Sequence, residues 1–384
     1  MPFWMRMREH FQFNQAFDRR KATLKIQSVD SYKVAIPLKK PFKTALRTVN
    51  VAEAIYIKIT LENGWYGVGE APPTHVITGE SLSSIQFAVE EVFAPLIIGS
   101  DLHSYERLFH TLHRSMAGNT SAKAAVDMAI YDLLGQSANL PLYQYLGGAK
   151  NSVTTDYTVS VNAPEMMALD AKKYVQEGFH TLKVKVGIGD IKEDIERLEA
   201  IRQAIGPNPK IRIDANQGWS AKDAVKAIRE MEQRGLGIEF VEQPVPAHDL
   251  SSLKYVTDRT FTPIMADESV FSIYDAKDII HMRAADMMNI KLMKTGGIYQ
   301  ALKLAALAQS QDMICMVGSM IETKLGVGAA AHFAASQPNV EYYDFDAPLM
   351  LTKDLLRGGI QYNGAHITFS NTPGLGIDGI EGIC

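Results

Sequence analysis

The sequence predicts an α/β fold: an eight-stranded parallel barrel preceded by an α+β domain. Three observations predict it. Between residues 153 and 346, eight short apolar segments alternate with seven amphipathic ones, the pattern of a parallel sheet wrapped by helices. Ahead of them, strand-like segments are followed by helical ones, an α+β order. Five barrel segments also end in a charged residue at the spacing of one strand–helix unit.

The first domain begins with LKIQSVDSYKVAIPL (24–38), AEAIYIKITL (52–61) and WYGVGEA (65–71), rich in β-branched and aromatic residues. ENG (62–64) supplies a turn between the last two. SAKAAVDMAIYDLLGQ (121–136) places Ala124, Met128, Tyr131 and Leu134 at helical spacing, and PLYQYLGG (141–148) ends on a glycine pair. The barrel strands are YTVSV (157–161), TLKVKV (181–186), KIRID (210–214), IEFVE (238–242), PIMAD (263–267), ADMMNIK (285–291), ICMVGS (314–319) and VEYYDFD (340–346). Eight strands suggest a closed barrel. The tail after residue 350 has no place in it and is expected to return to the first domain.

The composition excludes several classes. With 46% hydrophobic and 21% charged residues, the 384-residue chain has enough apolar material for a full core. Lys+Arg number 39 against 43 Asp+Glu, so there is no basic footprint for nucleic acid. No run of 18 apolar residues is long enough to span a membrane. Two cysteines, Cys315 and Cys384, make no disulfide framework and suit a reducing cytosol, so a cytoplasmic location is expected. The extension 1–23, mixed aromatic and charged, lacks the apolar stretch of a signal peptide and is assigned no function.

The charged strand ends are Lys185, Asp214, Glu242, Asp267 and Lys291, at gaps of 29, 28, 25 and 24 residues. They fall at one level, the C-terminal mouth where barrel enzymes keep their active sites. Any one of the acids could simply cap the following helix, but five residues in register with both signs of charge argue for a site. Three converging carboxylates repel unless a cation joins them. All-oxygen ligands favour a hard ion, magnesium first and manganese second. Asn216 and Gln217 are placed to orient this shell. Lys185 and Lys291 stand on opposite sides of the ring, and Lys183 shares the inward face with Lys185. A neighbouring ammonium and a divalent cation both lower a lysine pKa, which makes a usable base. Lys294, beside Gly296 and Gly297, reads as an ordinary solvated or ion-paired charge.

Two bases facing across a metal that binds a carboxylate imply one reaction class. One lysine removes the proton α to the carboxylate, the metal stabilises the enediolate, and the other lysine returns a proton to the opposite face. Acid–base catalysis supplies about 10²–10⁴-fold of the acceleration, so the rest falls to the metal. Asp344 and Asp346, two apart in a strand, point to one face and suit a cationic group.

The motifs KVK (183–185), DANQGW (214–219), VEQPV (241–245), ADES (266–269) and NIKLMKTGG (289–297) resemble the enolase superfamily, in its muconate-lactonizing subgroup. The resemblance covers residues 24 to 380 and implies a modified TIM barrel, (β/α)7β, under an α+β capping domain. The expected division is an extension 1–23, a capping domain 24–150 joined by the tail 352–384, and a barrel 151–351. KPFKTALRTV (40–49), APPTHVITG (71–79), CMVGSMIETK (315–324) and DFDAPLML (344–351) further resemble the L-Ala-D/L-Glu dipeptide epimerases of the Bacillus type. That similarity implies Lys185 and Lys291 as the acid/base pair, assisted by Lys183. It implies Asp214, Glu242 and Asp267 as ligands of one Mg2+ per subunit. Asp344 and Asp346 would receive the dipeptide's α-ammonium and Arg47 its side-chain carboxylate. Thr158, Ser319 and Ile321 fall at matching substrate positions, and a role in recycling cell-wall peptides is implied. The expected partners are a dipeptide and further copies of the chain, with no nucleic acid and no membrane.

The competing readings are an N-acylamino-acid racemase or o-succinylbenzoate synthase, whose substrates lack the ammonium that DFD suits. Muconate cycloisomerase comes third, because a dicarboxylate would be repelled by the acidic pair. A catalytically silent binding barrel would be expected to lose a base or a ligand, and none is missing.

Overall fold

The computed structural model describes residues 24–384, so the extension 1–23 lies outside the described residues. Strands β1 (Ile26–Lys43), β2 (Thr48–Leu61) and β3 (Tyr66–Ala71) form an antiparallel sheet in that order. The turn at Glu62–Gly64 closes through Leu61 N–H to Trp65 O, with Gly64 at φ +86°. Gly67 and Gly69 let β3 lie directly on the helix Thr120–Ala138. A Cβ on either would sit about 2 Å from the carbonyl oxygen of Ala129 or Ala125. This helix is buried from Ser121 to Gly135, on all faces rather than on the single stripe its spacing suggests. Its buried acids are consequently bonded to backbone amides: Asp132 accepts from Val68 N–H and Leu375 N–H.

A short strand β4 (Ser152–Thr154) leads into the barrel strands. These are β5 (Tyr157–Val159), β6 (Thr181–Lys185), β7 (Lys210–Asp214), β8 (Ile238–Glu242), β9 (Ile264–Ala266), β10 (Met287–Ile290), β11 (Cys315–Gly318) and β12 (Val340–Asp344). They pair in sequence order, every pair parallel. The barrel is nearly closed rather than closed, because β12 and β5 form no ladder. Three bonds bridge the seam instead. Asp156 N–H donates to Tyr343 O, Phe345 N–H to Thr155 Oγ1, and Thr158 N–H to the Asp346 carboxylate. The strands are three and five residues long where they meet, and β12 turns into a 3-10 turn at Ala347, so the ladder runs out.

Below the mouth the interior is filled. Phe240, Met265, Met287 and Met316 cluster together, and the Arg212 guanidinium lies over the rings of Phe240 and Tyr342, paired to Asp156 and Glu239.

In the tail, β13 (Leu356–Gly358) pairs with β16 (Ile377–Ile380), while β14 (Gln361–Asn363) pairs with β15 (His366–Thr368) and β15 with β4. Two carboxylates join the N-terminal domain to the barrel. Glu70 on β3 accepts from Thr323 N–H, Thr323 Oγ1–H and Gly326 N–H at the start of the helix Lys324–Ser336. Asp127 accepts from Ile298 N–H and Tyr299 N–H at the start of Ile298–Gln309. Gly297, at φ +115°, is required there, since a Cβ would meet the Asp127 side chain at 2.3 Å. Each acid satisfies helix amides that would otherwise lack partners.

Candidate active site

Strand alternation turns Lys183 and Lys185 of β6 inward, and β7, β8 and the end of β9 bring Asp214, Glu242 and Asp267 to the same level. All are buried. Lys183 Nζ lies 3.2 Å from Asp214, 2.8 Å from Glu242 and 2.7 Å from Asp344. Lys185 Nζ lies 2.6 Å from Asp214, and Lys291 Nζ 2.7 Å from Asp267.

One pocket is lined by Arg47, Thr158, Lys185, Asp267, Lys291, Ser319, Ile321, Asp344 and Asp346. Lys183, Asp214 and Glu242 lie just beneath it. Arg47 comes from the turn between β1 and β2, held by Thr44 N–H to Arg47 O and Arg47 N–H to Thr44 Oγ1. Burial lowers its pKa from the ordinary arginine value, and no carboxylate pairs with it among the described residues. Ser319 Oγ donates a long bond to Asp344 O. Asp346 lies past the end of β12, so its direction comes from its bond to Thr158 rather than from strand alternation.

Burial pushes Glu242 up to about 7, aided by the neighbouring Asp214. Burial also pushes Asp346 up to about 7, with Asp344 adding to it. Asp267 goes the other way: burial opposes its ionisation, but Lys291 and Lys294 hold it far below the carboxylate range. The carboxylates likewise win over burial at Lys183 and Lys291 and hold both above the ordinary ammonium value. The lowered lysine pKa expected from the sequence is therefore not found at Lys183 or Lys291, whose carboxylate neighbours hold them charged.

Two residues, Lys294 and Gln217, behave differently from expectation. Lys294 is fully buried on Asp267, because the turn Leu292–Thr295 folds it under the mouth rather than out to water. Asn216 does touch Asp214, through its N–H and Nδ2, but Gln217 instead accepts from Ala247 N–H and orders a loop. Glu268 was missed. It lines the pocket, receives Asn216 Nδ2–H and is pushed up to about 8 by burial and by Asp267. Its place directly after a strand-end aspartate was the available signal. Asn289, which donates to Glu242 Oε1, and Gln243, which accepts from Asp267 N–H, were missed as well; neither carries a charge to mark it.

The donor set fits a hard divalent cation. Among the described residues no ready-made metal cluster stands open, since ammonium groups lie between the acids. Yet five buried oxygens here accept no hydrogen bond: Asn216 Oδ1, Glu242 Oε2, Asp267 Oδ1, Glu268 Oε2 and Asn289 Oδ1. Two of them have only an ammonium at ion-pair distance, Lys183 for Glu242 and Lys294 for Asp267. Six buried carboxyl groups (Asp214, Glu242, Asp267, Glu268, Asp344, Asp346) face four buried lysines (183, 185, 291, 294), so carboxyl groups outnumber the cations that could pair with them. Under-bonded oxygens and carboxyl groups in excess of cations suit an oxygen-ligated divalent ion.

Residues 26–147 match the family model for the mandelate racemase / muconate lactonizing enzyme N-terminal domain, and residues 166–381 the enolase C-terminal domain-like model. The L-Ala-D/L-Glu epimerase of Bacillus subtilis is 55% identical over 93% of this chain and 97% of its own. A substrate-liganded structure of the same B. subtilis enzyme superposes with a TM-score of 0.92, covering 93% of this chain and 99% of that one. The dipeptide epimerase of Enterococcus faecalis, in complex with Mg and L-Leu-L-Tyr, is 43% identical with a TM-score of 0.89, over 92% and 99%. With both domains matched and relatives this similar along nearly their whole length, the chain belongs to the enolase superfamily, in its mandelate racemase and muconate lactonizing branch.

Proposed function

We propose that the protein epimerises dipeptides of the L-Ala-L-Glu and L-Ala-D-Glu type, with one magnesium ion per subunit. It is an isomerase like its relatives, which are named epimerases. One observation carries the substrate reading: Asp344, Asp346 and Arg47 line the same pocket as Lys185 and Lys291. An acidic pair for an ammonium, and an arginine for a carboxylate, thus flank two bases. Manganese is the alternative ion, and the cytoplasmic, homo-oligomeric and cell-wall-peptide expectations belong to the same reading. No helix among the described residues is long and apolar enough to cross a membrane.

Asp214, Glu242 and Asp267 would hold the magnesium ion, which when bound supplies Lewis-acid stabilisation of charge developing on the substrate carboxylate. Lys185 serves one face of the α-carbon and Lys291 the other, so the proton leaves to one lysine and returns from its counterpart. Asp214 and Asp267 pair with Lys185 and Lys291; a cation sharing those carboxylates would weaken the hold that keeps Lys291 charged and so favour its work as a base. Lys183, held by three carboxylates, stays charged and assists Lys185 electrostatically.

N-acetyl-L-Ala-L-Glu tests this reading against the free dipeptide, with deuterium uptake in D2O followed by mass spectrometry. Acetylation removes the cation and leaves two carboxylates unpaired. A charge-assisted hydrogen bond contributes about 1.5–3 kcal/mol, so kcat/KM should fall about ten- to a hundredfold or more. Equal turnover of the acetylated peptide would replace this reading with that of an N-acylamino-acid racemase. Arg47→Ala should lower kcat/KM for L-Ala-L-Glu by a similar factor and spare a dipeptide with a neutral second residue. Equal losses on both substrates in steady-state assays would remove Arg47 from the carboxylate site.

A further inference from the structure

We infer that Lys294 is a positioning residue for the metal-binding carboxylates, an inference that rests on the reading of Asp267 as a magnesium ligand. Lys294 is 0% exposed and stands apart from the pocket lining. It reaches Asp267 from beneath, while Lys291 reaches it from the pocket. The two lysines divide the carboxylate between them. Lys291 Nζ lies 2.7 Å from Oδ2, and Lys294 Nζ 2.6 Å from Oδ1.

The Lys294 ammonium also donates to the backbone carbonyl of Asp267 and, at 3.0 Å, to that of Asn289. The ammonium thus donates two hydrogen bonds to backbone carbonyls and keeps an ion pair to Asp267 Oδ1. The Phe271 ring, 5.7 Å from Nζ, covers the group further. Lys294 therefore touches no substrate. It fixes the end of β9, the end of β10 and one side of the Asp267 carboxylate in a single cluster. The other product of this segment is Lys291, whose carbonyl accepts Lys294 N–H. Asn289 meanwhile donates to Glu242. Residues 289–294 thus hold two of the three expected metal ligands and carry one of the two bases.

Two effects of Lys294 on a cation oppose each other. Its charge repels a divalent ion, and its contacts hold the ligand in place. The contacts decide the sign. Without Lys294, the carbonyls of Asp267 and Asn289 each lose a donor, Asp267 Oδ1 loses its counter-ion, and Asp267 stands among five other buried carboxylates with one cation fewer. A buried carboxylate stripped of its counter-ion, in a strand end that has lost its clamp, leaves its placement, and that removes a ligand. Loss of a group that orients a metal ligand typically costs about ten- to a hundredfold in metal affinity.

The test is magnesium titration calorimetry on the purified full chain, comparing wild type with Lys294→Met, Lys294→Gln and Asp267→Asn. Lys294→Gln keeps a hydrogen-bond donor without the charge. Both Lys294 variants should bind magnesium at least tenfold more weakly while keeping the wild-type far-UV circular dichroism. Magnesium affinity equal to or tighter than wild type in the Lys294 variants, with Asp267→Asn weakened, overturns this inference and leaves the ligand reading standing. Unchanged affinity in Asp267→Asn overturns the ligand reading and this inference together. Loss of the folded state in both Lys294 variants makes the residue structural and overturns the assignment as well.

Discussion

Lys185→Ala and Lys291→Ala should each abolish epimerisation of L-Ala-L-Glu, with kcat falling by about 10²–10⁴ or more. Each variant should nevertheless exchange the α-proton of the one epimer that its remaining lysine faces. The reason is geometric. Lys185 ends β6 and Lys291 follows β10, four strands apart in an eight-stranded ring, and both line the pocket. Each is anchored to a different acid, Asp214 or Asp267, so removing one lysine leaves the partner of the other intact. Proton NMR in D2O, run separately on L-Ala-L-Glu and L-Ala-D-Glu, reads the exchange. Exchange of the same epimer by both variants would mean that the lysines share a face.

Asp267→Asn should remove most of the activity and weaken magnesium binding while the fold persists. Asp267 is held ionised, far below the usual carboxylate range, by Lys291 and Lys294 on its carboxylate. It therefore supplies a full negative charge where Glu242, pushed up to about 7, is partly protonated near neutrality. The amide keeps the shape and one acceptor oxygen but loses that charge. Titration calorimetry should show the weaker binding, and far-UV circular dichroism an unchanged fold. Magnesium affinity equal to wild type would exclude Asp267 as a ligand.

The shared level of the charged strand ends was readable in the sequence because strand–helix units of similar length put one kind of position at one height. Lys185, Asp214, Glu242, Asp267 and Lys291 follow from counting. What counting misses are effects that depend on neighbours distant along the chain. Lys294 looked like a loop charge because nothing local shows that the carbonyls of residues 267 and 289 lie beside it. The open seam was hidden because a side chain, Asp346, takes over where the ladder stops. The helix Thr120–Ala138 looked one-sided because its alanines are equally suited to a tight interface, and the glycines of β3 that create that interface lie some 60 residues earlier. Arg47 carried no signal of its own. Only the surrounding motif identified it.

Glu70 and Asp127 give the joint between the two domains a further meaning. The barrel does not complete the starts of two of its own helices; acids of the N-terminal domain take up amides there. The halves are therefore not interchangeable modules. A chimera that takes its first domain from a relative must bring an acid on the third strand and another on the long helix, or leave exposed amides at two helix starts beside the mouth. The turn that carries Arg47 is free of this obligation, because its bonds stay within residues 44–47. New substrate preferences have room to arise at that tip while the joint behind it stays fixed.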